Sequence, residues 1–167
     1  MTVDGESVTA TVTRNENRIL VSGGDVNVSL SAVDADGAQV PLDADGNLRV
    51  TDADSLVVEA TGFDAGDDVE SWLFSDPMQL GTEKADSMGH INATYGVPAG
   101  LESGSHRMVL RSKSASGSET LVSVGLLAGS SDSGGASVSV IVGIVLALVA
   151  IAALLVPVAI RRRRTAE

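Results

Sequence analysis

Residues 138–160 form an uncharged, apolar run of 23 residues, and four arginines follow it without a gap. As an α-helix with a rise of about 1.5 Å per residue, this run would be roughly 34 Å long, which is enough to cross the hydrocarbon core of a bilayer. A buried helix of a globular domain usually carries a polar stripe, whereas only one serine, one glycine and one proline interrupt this run. The run therefore predicts a single membrane-spanning helix.

The cluster after the run consists of Arg161, Arg162, Arg163 and Arg164. Positively charged residues beside a membrane span are retained on the cytoplasmic side. We therefore expect a single-pass protein of the plasma membrane, with residues 161–167 in the cytoplasm and the N-terminal part of the chain outside the cell. The lipid bilayer is its first expected partner.

The two sides of the predicted span differ in charge. Residues 1–132 hold 21 acidic and 7 basic residues, a net charge of −14, whereas residues 161–167 carry +3. An external domain this acidic repels phosphate backbones, so we expect no nucleic-acid partner. Because the chain contains no cysteine, the external domain must be held together by its apolar core.

The first ten residues, MTVDGESVTA, lack the basic and apolar segments of a secretory signal peptide. Because an external domain must be exported, we interpret the chain as the C-terminal portion of a longer surface protein. A misassigned gene start and insertion as a tail anchor are the alternatives. The arginine cluster opposes the tail anchor, which would leave the long N-terminal part in the cytoplasm.

Residues 1–52 contain runs in which apolar and polar side chains alternate, a pattern typical of antiparallel strands with one buried face. The apolar members of these runs are Val8, Ala10 and Val12, then Val26, Val28 and Leu30. We expect both sets to face a core. The tetrapeptide Asp-Ala-Asp-Gly occurs at residues 34–37 and again at 43–46. Since Asp-Gly suits tight turns, these two copies predict two hairpins.

The same alternation predicts six further strands, at residues 55–61, 69–75, 78–84, 90–97, 106–113 and 119–127. Short strands at this spacing match a two-sheet antiparallel sandwich. The predicted fold is therefore all-β, with one C-terminal transmembrane helix. Its parts are an N-terminal hairpin region at 1–52 that is part of a sandwich or a partial repeat, a sandwich at 53–128, a Gly/Ser linker at 129–137, the helix at 138–160 and the basic tail at 161–167.

Five short stretches within the predicted sandwich share an order and spacing with a known family. They are Ala60-Thr61-Gly62-Phe63 with Gly66, Trp72-Leu73-Phe74-Ser75, Leu80-Gly81-Thr82, Val97-Pro98-Ala99-Gly100-Leu101, and Gly104-Ser105-His106. With the C-terminal anchor, they resemble the Ig-like repeats of bacterial, especially actinobacterial, cell-surface proteins. The resemblance implies an Ig-like β-sandwich that acts as a spacer, structural or adhesion module, with an extracellular protein or glycan as its ligand. The chain departs from the family at residues 128–137, which lack a Leu-Pro-x-Thr-Gly sorting motif, so we expect the helix to be retained as the anchor.

Two acidic pairs, Asp34 with Asp36 and Asp43 with Asp45, are the candidate calcium ligands. Calcium takes about six to eight oxygen ligands, and neither run completes an Asp-x-Asp-x-Asp-Gly loop with a glutamate at its twelfth position. We therefore expect solvated turns at both places, with no bound metal and no cofactor.

His90 and His106 are the only histidines, and neither lies at a spacing typical of a catalytic triad or a metal motif. We therefore expect no catalytic residues and no enzyme activity. Trp72, Phe74 and Tyr95 are most of the aromatic content. A sugar-binding platform of these rings is one interpretation, but a domain with so few aromatic side chains is expected to use them in its core.

The expected function is that of a non-catalytic surface protein held outside the cell by its membrane helix. The alternative is an accessory or receptor subunit whose helix packs against a membrane partner through the small residues Gly143 and Ala147. A membrane-anchored hydrolase is a third interpretation, and it requires a catalytic domain before Met1.

Overall fold

The computed structural model describes residues 1–114 and 117–129, which contain twelve β-strands. They are β1 (Thr2–Val3), β2 (Glu6–Ser7), β3 (Thr11–Asn15), β4 (Arg18–Gly23), β5 (Val26–Val33), β6 (Arg49–Val50), β7 (Ser55–Thr61), β8 (Asp68–Phe74), β9 (Met78–Lys84), β10 (Ile91–Gly96), β11 (Gly104–Lys113) and β12 (Glu119–Ala128). In this described part, there is no helix of the length and apolarity that a membrane span needs. The predicted helix at 138–160, the basic tail at 161–167 and all but the first residue of the linker lie outside the described residues.

The strands form two sheets. Sheet A has the order β2-β1-β12-β11-β8-β9, with β6 also paired to β12, and sheet B has the order β10-β7-β5-β4-β3. Every pairing is antiparallel except that of β6 with β12, which is parallel. The all-β prediction, with two antiparallel sheets, is confirmed for the described residues.

Alternation of side chains places a shared apolar core on the inner faces of the sheets. On β7, Leu56, Val58 and Ala60 are buried, while the residues between them are half-buried or exposed. The largest fully buried side chains are Leu30, Leu48, Leu56, Leu73, Met108 and Leu110. They come from strands of both sheets and from the segment before β6, so burial of apolar surface is the main source of stability.

The two predicted regions at 1–52 and 53–128 both contribute strands to both sheets. In sheet B, β5 pairs with β7 from Asn27 to Val33, and in sheet A, β1 and β6 pair with β12. Residues Met1–Ser130 accordingly cluster as one compact unit.

The two Asp-Ala-Asp-Gly turns form where they are predicted, but the hairpins around them are short. After the first turn, Gln39 makes a single bridge to Val33. The second turn is closed by a hydrogen bond from the Asp43 N–H to the Asn47 carbonyl, and the chain then enters β6. Because β6 pairs with the distant β12, the second predicted hairpin is wrong beyond its turn.

The prediction that Val8, Ala10 and Val12 face a core is wrong for Ala10 and Val12, which are exposed, whereas Val8 is half-buried. Val12 lies opposite Val21 in the ladder, and Val21 is buried, yet Val12 is 46% exposed. The cause lies in sheet A, where β12 faces β4. On the edge of β12 away from β11, no described strand is paired to it between its contacts with β1 and with β6. Strand β3 therefore extends beyond sheet A, and its inner side is uncovered.

Candidate binding face

The outer surface of sheet A differs in charge from the rest of the domain. Strands β8, β9, β11 and β12 contain four basic and four acidic residues, whereas the remainder of residues 1–132 has three basic and 17 acidic residues. The four basic side chains are Lys84, Arg107, Arg111 and Lys113, and all four are exposed. Sheet A is therefore the side of this acidic domain that repels an anionic partner least.

Two aromatic side chains lie on this outer surface. Val69, Ser71 and Leu73 of β8 point into the core, so the intervening Trp72 and Phe74 point outward. Trp72 is half-buried and Phe74 is 38% exposed, with their ring centroids 6.4 Å apart. The prediction that these two rings belong to the core is therefore wrong, whereas the same prediction for Tyr95, which is 8% exposed, is confirmed.

Strand β11 supplies the neighbours of these rings. Arg107 lies opposite Phe74 in the ladder, and Val109 lies opposite Trp72. Among the described residues, none forms an ion pair or hydrogen bond with the Arg107 guanidinium. We call Trp72, Phe74, Arg107 and Val109 the aromatic face. It combines outward-facing rings, which can stack on a flat ligand, with a cation that is free to bind a carboxylate or another anion.

A polar network beside the aromatic face orients the tryptophan. The indole Nε1–H of Trp72 donates to Glu70 Oε2 at 3.0 Å, and Glu70 also lies 3.8 Å from a guanidinium nitrogen of Arg111. A second hydrogen bond, from Arg111 to Glu119, raises the pKa of Arg111 above its ordinary value. Arg111 is thus neutralised by two carboxylates, which leaves Arg107 as the available cation of the aromatic face.

The carboxylates of the candidate calcium pairs are used differently within each turn. Asp34 accepts hydrogen bonds from the N–H groups of Asp36 and Ala38, and Asp43 accepts them from Asp45 and Asn47. The bond from the Asn47 N–H is the main cause that lowers the pKa of Asp43 below its ordinary value.

The second residue of each pair makes no such bonds, because Asp36 and Asp45 point into solvent. Arg49 lies 3.4 Å from Asp43 and competes with any cation there. Within the described ranges, no three His, Cys, Asp or Glu side chains come together as a potential metal site.

The structure joins Ser75 to His106, a pairing that sequence reasoning missed. The hydroxyl of Ser75 lies 2.7 Å from Nδ1 of His106, and Nε2 of His106 lies 2.7 Å from the Glu102 carbonyl oxygen. Because a carbonyl only accepts, Nε2 carries a proton, and in the neutral ring Nδ1 accepts from Ser75. In a Ser-His-Asp triad a carboxylate holds the histidine, whereas here a backbone carbonyl does so, and His106 is 7% exposed. The arrangement therefore connects the end of β8 to β11.

Comparison with known proteins adds no family to this description. No protein-family model matches the chain, and no curated protein matches it either.

Proposed function

We propose that this chain is a single-pass plasma-membrane protein that holds a non-catalytic, Ig-like β-sandwich outside the cell as a spacer and adhesion module. The observation that carries this proposal is the uncharged run at residues 138–160 followed by four arginines. Its length matches a bilayer, and its flanking charge favours a cytoplasmic C-terminus.

The topology of the sandwich supports the Ig-like assignment. Strands β5, β7 and β10 adjoin in sheet B, and β9, β8, β11 and β12 adjoin in sheet A. The chain therefore changes sheets between β7 and β8, between β9 and β10, and between β10 and β11. Such crossings between two packed sheets are typical of Ig-like domains.

The adhesion role is supported by the aromatic face. Its ring pair and the unpaired Arg107 match the chemistry of glycans that carry carboxylates, since sugar rings stack on aromatic side chains and carboxylates pair with guanidinium groups. The resemblance to bacterial surface repeats agrees with this role but does not identify the ligand.

Cysteine labelling tests the proposed topology, because the natural chain has no cysteine. Met88 is 73% exposed and provides an external position, while Ala166 lies in the basic tail. In intact cells, a membrane-impermeant maleimide is expected to label Met88→Cys. Labelling of Ala166→Cys is expected only after permeabilisation. The opposite pattern, or equal labelling of both variants in intact cells, would contradict the proposal.

Intrinsic fluorescence tests the aromatic face, because Trp72 is the only tryptophan in the chain. We expect polygalacturonate, an acidic polysaccharide, to change the emission of the full chain in detergent in a saturable manner. Neutral dextran is expected to have a much smaller effect. Arg107→Ala should abolish the change, whereas Arg18→Ala on sheet B should leave it intact. If Arg107→Ala titrates like the natural chain, the aromatic face does not bind acidic glycans.

A further inference from the structure

One edge of β12 carries backbone groups without a partner. The N–H of Leu127 donates to the Leu48 carbonyl at 2.8 Å, and the carbonyl of Glu119 accepts from the Gly5 N–H at 2.8 Å. Because backbone groups of alternate residues in a strand point to the same side, the N–H and C=O groups of Ser123 and Gly125 also point to this edge. No described residue bonds to them there.

The opening beside these groups has a defined length. In the sheet A ladder, β1 pairs with β12 at Leu121 and β6 begins its pairing at Leu127. At about 3.3 Å per residue, the distance along β12 between these pairings is roughly 20 Å. This opening has room for about five residues of extended chain.

The wall opposite β12 consists mainly of apolar side chains, and one of them, Val12, is exposed. A cavity of about 240 Å³ lies between residues 123–127 and the inner side of β3 and β4, and Val12, Ile19 and Val21 line it. We call this cavity, together with the unpaired edge of β12, the slot. A strand paired to β12 in the slot would lie opposite β3 and would cover Val12.

The slot also differs from the rest of the domain in charge. None of the residues that line the slot is acidic, although residues 1–132 contain 21 acidic residues. One lining residue, Arg14, is basic. On the outer side, Gly125 lies opposite Arg107, and a Cβ added to Gly125 would have no neighbour within 4 Å. The long side chain of Arg107 can therefore reach over Gly125 toward a strand in the slot.

We propose that the slot binds one extended segment of a partner protein and thereby adds the missing strand to sheet A. The segment pairs its backbone with Ser123 and Gly125, as in β-strand addition to an open sheet edge. Its inward side chains are apolar and cover Val12, and its outward side chains are acidic and face Arg107. This inference does not depend on the glycan ligand of the aromatic face.

The test uses the full chain in lipid nanodiscs and a fluorescent six-residue peptide in which Glu and Val alternate. We expect saturable binding by fluorescence anisotropy, at least roughly tenfold tighter than that of the same peptide with Lys in place of Glu. A Glu/Val peptide methylated on its backbone nitrogens cannot pair with a strand and is expected not to bind. Saturating peptide should slow hydrogen exchange of the Ser123 and Gly125 amides at least tenfold.

Gly125→Pro is the decisive variant. The N–H of Gly125 points into the slot, so proline removes a docking donor without removing a hydrogen bond to β11. We expect binding to weaken at least tenfold, while exchange protection of the β11 amides shows whether the sandwich is intact.

Val12→Asp provides a second variant that does not alter the backbone. A docked segment would bury this carboxylate against its apolar side chains, which costs free energy, so binding should again weaken. Met88→Asp changes another exposed hydrophobic residue, far along the chain, and should leave binding unchanged. Absence of saturable binding, unaltered binding by Val12→Asp, or peptide-induced protection at another edge such as β9 would overturn the proposal.

Discussion

Gly62→Ala is expected to lower the free energy of unfolding by about 3 to 5 kcal/mol, because it combines backbone strain with overpacking. Gly62 has a φ of +92°, which side chains with a Cβ rarely adopt, and the added Cβ would lie 2.2 Å from the Asp25 carbonyl oxygen. Since that oxygen belongs to the backbone at the start of β5, it cannot move without disturbing the strand. Urea or thermal unfolding of the variant measures the loss.

Gly66→Ala is the matched control for this prediction. Gly66 has a similar φ of +85°, but no atom lies within 4 Å of an added Cβ. Only the conformational term applies, so we expect a loss of about 1 kcal/mol. Equal losses for Gly62→Ala and Gly66→Ala would show that the contact with Asp25 is not tight.

Replacing all four arginines of residues 161–164 with serine is expected to disturb the orientation of the chain in the membrane. The positive-inside bias would then be lost, and the acidic residues at 1–132 would not replace it, because Asp and Glu contribute little to topology. In intact cells, labelling of Met88→Cys should fall and labelling of Ala166→Cys should rise.

Four lysines in the same positions form the matched control. Lysine carries the same charge, so this variant should retain the orientation of the natural chain. If the serine variant is labelled like the natural chain, the arginine cluster does not determine topology, and another feature of the chain must do so.

Local patterns were sufficient to predict much of the sandwich. The alternation at Val26, Val28 and Leu30 predicts β5, and the alternation at Leu56 and Val58 predicts β7, because each strand has one buried face. The Asp-Ala-Asp-Gly turns were predictable for the same reason, since the first Asp of each copy bonds to backbone N–H groups within its own turn.

Features that depend on distant parts of the chain were not predictable. Alternation shows that Val12 and its neighbours share a face, but whether that face is covered depends on how far the other sheet extends. The pairing of β6 with β12 joins Val50 to Ala128, and no local pattern encodes it.

The candidate binding face was only partly accessible from the sequence. The alternation of β8 correctly separates Trp72 and Phe74 from Leu73, and that signal could have placed both rings outside. The scarcity of aromatic residues pointed instead to the core, and this argument held only for Tyr95. The availability of Arg107 could not be anticipated, because it depends on Arg111 taking the nearby carboxylates.

The position of β12 in sheet A has a mechanical consequence. This strand, the last one among the described residues, ends at Ala128, so tension from the proposed C-terminal anchor would enter the domain along it. Strand β12 is paired with β11 over ten residue pairs, alternate ones of which are hydrogen-bonded, and it is paired in parallel with β6 near its end. A pull along the strand loads these bonds together rather than one after another, and a shear geometry of this kind would suit the proposed adhesion module.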